Sequence, residues 1–285
     1  MKKIIGLIGL FAGVLALGAC GNGGTASSST NSSEGAVEAP SNQLEEILEK
    51  GVLTVGTSAD FAPFEFHAMV DGRDTIVGAD IDMVHAIAED LGIEKVEFTD
   101  MEFTAVLAAL DQGQVDIAVS GISATEERKQ SFDFTINYFL PEQFVLVHKD
   151  NLDSYQTTAD LEDKKVGAQK GSIQEMVVEE QLPDSQIVSI AKVPNLVIEL
   201  KQGSIDALVL ESAVAESYVA QNDDITIAAV ELVTSEDEAY SIAVPKGSTE
   251  LQEALNNSLQ KLIDSGKIEE FVQTNTDLAN ENASN

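Results

Sequence analysis

The chain has 285 residues, enough for two domains that each bury a core of their own. Its 16 Lys and Arg stand against 49 Asp and Glu, a net charge of -33, which excludes a nucleic-acid partner because phosphate neutralisation needs a basic face. Trp is absent, and His67, His85 and His148 are scattered without metal-ligand spacing, so neither a metal nor any other cofactor is expected.

Lys2-Lys3, the apolar run from Ile4 to Leu17 and the small pair Gly18-Ala19 read as a secretory signal over residues 1–19, too short to span a bilayer comfortably. Cys20, the only cysteine, closes it, and Leu17-Gly18-Ala19-Cys20 has the form of a lipobox, in which cleavage before the cysteine leaves a thiol to be diacylated. An ordinary signal cleavage site with a leftover thiol is the alternative. Residues 20–43 are mostly Gly, Ser, Thr, Asn and Ala, the composition of a flexible tether that reaches about 25 Å as a coil.

The folded part opens at Leu44, Ile47 and Leu48, spaced as one helix face that Gly51 ends. Val52-Leu53-Thr54-Val55 follows as a strand, and Gly56 to Phe64 as the loop at its carboxyl end. Val106 to Asp111 then reads as the end of an amphipathic helix, with Gly113 as its stop. Val115 to Val119 is a short buried strand that runs into Ser120-Gly121-Ile122-Ser123, with Arg128 just beyond. The arrangement recurs as Val197 to Lys201, Gly203, Ile205 to Leu210 and finally Glu211. Between the two copies, Val166-Gly167-Ala168 is a strand, and Gln169-Lys170-Gly171-Ser172 opens a helix containing Ile173, Met176 and Val177. Tyr240 to Val244 is a strand, Leu251 to Phe271 is helical, and the tail over residues 274–285 is polar and expected to fray.

These elements predict an α/β protein of two lobes: residues 44–138 plus 240–273 as the first, 139–235 as the second, 236–239 as the return, and two crossing strands as a hinge. Ligands of open α/β sheets bind beyond the carboxyl ends of the strands. One copy of the repeat offers a fixed cation there and the other a carboxylate, so the simplest guest is a small zwitterion, an amino acid.

Arg128 presents a rigid fork that matches a carboxylate bidentately; the bland alternative is a surface arginine paired with Glu126 or Glu127. Gly171-Ser172 at a helix start offers free backbone N–H groups to an anion, although Ser172 also suits a plain N-cap. Phe61 and Phe103 have faces that accept apolar stems and cations alike, with core packing the alternative for either; Phe64 and Phe66 read as core.

Asp60-Phe61-Ala62-Pro63-Phe64-Glu65-Phe66, Val77-Gly78-Ala79-Asp80-Ile81-Asp82, Ser120 to Arg128, Phe132-Asp133-Phe134-Thr135 and Gly167 to Ser172 occur in an order and spacing that resemble the polar amino-acid family of ABC-transporter substrate-binding proteins. The resemblance covers roughly Leu44 to Phe271. It implies a periplasmic-binding-protein type II fold whose lobes close on the ligand and dock on a membrane ABC permease, with a monomeric chain held at the outer face of the membrane by the lipid on Cys20. It also implies a ligand site of Ser58, Asp60, Phe61, Phe103, Ser120, Gly121, Ser123, Arg128, Gln169, Ser172, Ile173 and Glu211. In that site the backbone N–H of Ile173 joins Arg128 on the substrate carboxylate. The Gly121 carbonyl and Glu211 take the ammonium, the Ser123 hydroxyl adds a contact, and Phe61 and Phe103 sandwich the side chain. Glu211 stands where the family usually has the shorter Asp.

Two rivals use the same scaffold. A dehydratase-like enzyme needs a positioned acid or base beyond the binding set, and no histidine falls in the motifs for that role. A surface sensor with a vestigial site sits badly with intact anchors on both lobes. As for substrate, Asp60, Glu65 and Gln169 beside aromatic faces suit a polar or basic L-amino acid, arginine or lysine first and glutamine second, and disfavour glutamate and aspartate.

Overall fold

The computed structural model describes residues 42–283; the signal segment, Cys20 and nearly all of the tether lie outside them. In chain order the first elements are α1 (Gln43–Lys50), β1 (Val52–Thr57), β2 (Asp60–Phe61), β3 (Glu65–Val70), β4 (Arg73–Val77), α2 (Ala79–Leu91), β5 (Lys95–Asp100), α3 (Phe103–Asp111), β6 (Ile117–Ala118), α4 (Arg128–Ser131) and β7 (Phe132–Phe134). The chain continues with β8 (Gln143–His148), β9 (Lys165–Gln169), α5 (Ile173–Gln181), β10 (Gln186–Ile190), α6 (Val193–Lys201), β11 (Ala207–Glu211), α7 (Ser212–Gln221) and β12 (Ile225–Ile227). It closes with β13 (Ala243–Pro245), α8 (Thr249–Asp264) and α9 (Lys267–Ala283).

Two five-stranded sheets of like design carry the two lobes, in the orders β5-β1-β6-β13-β7 and β10-β9-β11-β8-β12. In each, three parallel strands are followed at one edge by a reversed strand, β13 or β8, and by an outer strand, β7 or β12, that pairs antiparallel with it, so four of the five run the same way. The parallel strands sit under helices on both faces, which is why β11 reads as an unbroken apolar run ending in an acid and is buried throughout. The internal repeat has a shared physical purpose. Gly113 and Gly203 both adopt positive φ after a helix, and each is followed by an acid, Asp116 or Asp206, that ties its copy to the parallel strand beside it, β1 or β9. Asp116 accepts from the Thr54 backbone N–H at 2.8 Å, and Asp206 from that of Lys165 at 2.9 Å.

The lobes are joined where Phe139 and Tyr240 pair: the Tyr240 N–H donates to the Phe139 carbonyl at 2.7 Å and the Tyr138 N–H to the Tyr240 carbonyl at 2.9 Å. Tyr240 therefore belongs to the crossing rather than to a strand of the sheet, and β13 begins only at Ala243.

A third sheet, β2-β3-β4, adds a hairpin turned at Asp71-Gly72 to the elements expected from the sequence. It packs the loop after β1 against the start of α2. Gly78, at that start, has φ 141°, and a Cβ there would lie 1.9 Å from the Phe64 carbonyl oxygen, so no other residue fits the approach.

The polar tail is the largest departure from expectation. Instead of fraying beyond Phe271, α9 runs on to Ala283, broken from α8 only by Gly266. Asn275 is buried and donates to Asp82 at 2.6 Å, while Ala279 and Leu278 pack on Phe66 and Ala68 of β3. The helix also contacts α7 of the other lobe. Deleting residues 274–285 is expected to remove about 2 kcal/mol or more from burial and a buried hydrogen bond, lowering the melting temperature by about 5 °C. Differential scanning calorimetry checks this, and an unchanged transition would restore the frayed tail.

Candidate ligand-binding site

A narrow, nearly closed cleft between the two sheets is walled by Ser58, Asp60, Phe61, Phe103, Ser120, Gly121, Arg128, Gln169, Ser172, Ile173, Gln174 and Glu211. Nearly all stand beyond the carboxyl end of a strand or at a helix start. Ser58 to Phe61 follow β1, Ser120 and Gly121 follow β6, Gln169, Ser172 and Ile173 lie between β9 and α5, and Glu211 ends β11. Parallel strands aim their carboxyl ends at one edge, so the two sheets deliver these residues to one place.

Arg128 is the one guanidinium in the cleft lining. Its Nη1 donates to the Ser123 carbonyl at 2.8 Å and its Nη2 to the Gly171 carbonyl of the other lobe at 2.9 Å. Of its five N–H groups three remain for a guest. Its head lies 5.6 Å from the centre of the Phe103 ring, which fixes the fork's plane from one side. Neither Glu126 nor Glu127 is salt-bridged to it; Glu126 pairs with Lys129 at 2.9 Å instead. Burial lowers its pKa to about 10, so the head stays charged at neutral pH.

The acids opposite are less comfortable. Glu211 is fully buried, and Oε2 has no hydrogen-bond partner. Burial pushes its pKa up to about 8 in spite of Gln174, Tyr240 and the charge of Arg128, which favour the ionised form. Both Asp60 carboxylate oxygens are buried and unpartnered, and burial lifts this acid to about 6 although the nearby Lys192 charge opposes the shift. Ser58 Oγ is likewise buried without a partner. Unpartnered buried acceptors are costly and uncommon, so the three carboxyl oxygens, two of Asp60 and one of Glu211, mark where a donor-rich guest belongs.

The structure thus brings eleven of the twelve expected residues to the cleft wall. Ser123 is the exception: its hydroxyl donates to the Glu238 carbonyl at 2.9 Å and it touches the site only through the carbonyl that holds Arg128. With its hydrogen given to the hinge return, that hydroxyl offers a ligand only its acceptor lone pairs. Glu65, expected beside the substrate side chain, is also absent from the wall and lies fully buried beneath it. Gln174 was missed; it sits in the first turn of α5, where a glutamine carries no local signal, and its Nε2 donates to Gln143 at 3.3 Å. Ser172 does not cap α5 with its side chain, since its hydroxyl donates back to the Gln169 carbonyl at 2.7 Å. Phe61 lines the cleft while Phe64 and Phe66 are core, as the pattern implied.

Two α/β lobes, a cleft at their facing strand ends and opposed charged groups define a solute-binding protein. The chain belongs to the bacterial extracellular solute-binding proteins, family 3, which its residues 53–276 match. As a member of that extracellular family it works outside the cytoplasm as a binding protein and not as an enzyme. Among its relatives is the arginine-binding extracellular protein ArtP of Bacillus subtilis, 35% identical over 224 residues, 78% of this chain and 85% of that one. A probable histidine-binding protein of Neisseria gonorrhoeae is 33% identical, with 95% of this chain and 94% of the relative covered. In structure it is similar to an amino acid ABC transporter substrate-binding protein from Streptococcus pneumoniae bound to L-arginine, with a TM-score of 0.80 and 42% identity over 83% of this chain and 98% of that chain.

The strain on Glu211 has a measurable sign. Its folded pKa is raised from 4.5 to about 8, so its cost to the fold is absent below 4.5 and grows as pH rises toward 8. Glu211→Gln is expected to raise the melting temperature of the ligand-free protein by about 3 °C or more near pH 8, with the gain fading toward pH 4.5. Thermal melts across that range test it; a variant less stable than the unaltered protein at pH 8 would show that Glu211 is well paired.

Proposed function

We propose that the cleft captures a polar or basic L-amino acid, with arginine or lysine the best fit. The observation that carries this is the charge balance of the wall: Asp60 and Glu211 each hold unpartnered oxygens, and Arg128 is the single guanidinium among them. In this reading the α-carboxylate takes the free N–H groups of Arg128 and the N–H of Ile173 at the start of α5. The α-ammonium takes Glu211 and the Gly121 carbonyl. Asp60 then needs a donor from the side chain, and the Phe61 and Phe103 faces suit a guanidinium or a long aliphatic stem. Lys192 tempers Asp60 without forming an ion pair with it among the described residues. The arginine held by the Streptococcus pneumoniae neighbour and the names of the relatives support the same choice. Glutamine is the second reading, because an amide N–H can also serve Asp60.

A thermal-shift panel of the twenty amino acids is expected to show the largest stabilisation with arginine or lysine. The largest shift with glutamine would install the second reading, and with glutamate or aspartate would refute the charge balance. A guest cation favours the ionised forms of Asp60 and Glu211, whose pKa values stand at about 6 and about 8, so binding releases protons. Affinity for arginine should therefore rise from pH 5 to pH 8 in calorimetry.

The lobe division 44–138 plus 240–273 and 139–235, joined by the 236–239 return, belongs to the same proposal, with α9 extending the first lobe beyond 273. So do the lipid anchor at Cys20, the tether, the monomeric state and delivery to an ABC permease at the outer face of the membrane. Two acyl chains hold a protein stably where one does not. Cys20→Ala is accordingly expected to release the protein into the medium or leave an uncleaved precursor on fractionation, and a processed, membrane-bound variant would remove the anchor.

A further inference from the structure

Beneath the ligand-facing turn lies a pair of acids with no cation beside them. Glu65, the first residue of β3, and Asp80, in the first turn of α2, are 0% and 1% exposed, and their carboxyls lie against each other. The titratable groups that face them from the surrounding elements are Asp60 from β2 and the phenols of Tyr138 and Tyr240 from the crossing, with Glu211 of β11 behind Tyr240. None is basic. Two adjacent buried carboxyls cannot both ionise, so the pair holds one proton between them.

The hydrogen bonds say where that proton belongs. Asp80 accepts from the Tyr138 hydroxyl at 2.9 Å to each oxygen and from the Gly121 N–H at 3.2 Å, the environment of a carboxylate. Glu65 accepts from Ser120 Oγ at 2.6 Å on Oε1, while its Oε2 meets no donor. A proton on Oε2 gives Asp80 a further donor and leaves no buried oxygen of the pair unmatched. Burial and the Asp80 charge both push the Glu65 pKa well up, in agreement.

Ser120 is thereby fixed. Its hydroxyl hydrogen goes to Glu65, one lone pair accepts the Ser58 N–H at 3.1 Å, and the second lone pair is left for the cleft that Ser120 lines. We propose that Glu65 is a positioning residue of the ligand site: sharing one proton with Asp80, it turns Ser120 into an obligate acceptor aimed at the guest's ammonium and holds the Gly121 turn at the same time. This rests on the amino-acid reading of the cleft.

The test is calorimetric titration with L-arginine and with its analogue lacking the α-amino group. Glu65→Gln keeps an acceptor for Ser120 and a donor for Asp80, so it should bind arginine within about threefold of the unaltered protein, whereas Glu65→Ala frees the hydroxyl and should weaken binding by about tenfold or more. That loss should shrink to about twofold for the desamino analogue, a selectivity that a general loosening of the fold would not produce. Should Glu65→Ala fail to fold, Glu65→Gln decides alone: a tenfold loss would mean that an ionised carboxylate is required and would overturn the shared proton. Near-normal arginine binding by folded Glu65→Ala would overturn the positioning role while leaving the amino-acid site standing. Absence of binding by the unaltered protein to any amino acid would remove that site and this role together.

Discussion

A buried acid short of hydrogen-bond donors is among the costliest groups a protein interior can hold, and this fold keeps two of them, Asp60 and Glu211, facing one cleft. Asp60 and Glu211 stay there because the backbone fixes them, Asp60 in a strand paired to β3 and Glu211 as the last residue of a strand buried on both faces. Their cost falls when a guest brings donors, and that difference between the empty and filled states is the free energy by which a ligand favours one arrangement of the lobes over another.

Arg128 gives the opposite charge and also a mechanical link. One of its carbonyl partners is in its own lobe and the other, Gly171, is across the cleft beside the start of α5. Tyr218 makes a second link from α7, donating to the Asp60 carbonyl at 3.1 Å. On the proposed reading the groups that meet the guest are also groups that link the lobes, so occupancy would be coupled to closure through contacts rather than through distant strain. The backbone pairing of Phe139 with Tyr240 marks where the chain crosses between the two sheets.

A second layer keeps the wall rigid. Ser58, Ser120 and Gly121 carry no charge, and their orientation depends on Glu65 and Asp80 behind them and on Gly78, which lets the α2 terminus approach Phe64. Precision in a polar site comes from such supporting hydrogen bonds, because a serine hydroxyl left alone rotates. The same tyrosine that holds Asp80, Tyr138, begins the crossing, so the turn under the ligand and the hinge share a side chain.

What the sequence determined by itself was the repeat and the order of the site. Helix period, a glycine stop and a short apolar strand are local signals, and they located α3 to β6 and α6 to β11 because the residues that end those elements act on their immediate neighbours. Arg128 stood out through the Ser120 to Arg128 motif around it, and Glu211 as the acid that closes the second copy of the repeat. Burial of a polar residue by something far along the chain was not legible. Asn275 and Ala279 look like a solvent-exposed tail until Asp82 and β3 arrive to cover them, and nothing near Ser123 in the chain shows that its hydrogen goes to the Glu238 carbonyl. Glu65 looks like a surface acid near the substrate until the third sheet turns it inward. Periodicity and end signals are properties of neighbouring residues, so the chain could state them alone. Which polar atoms face water, a guest or one another depends on contacts between segments as distant as Asp82 and Asn275, and only the tertiary structure decided that.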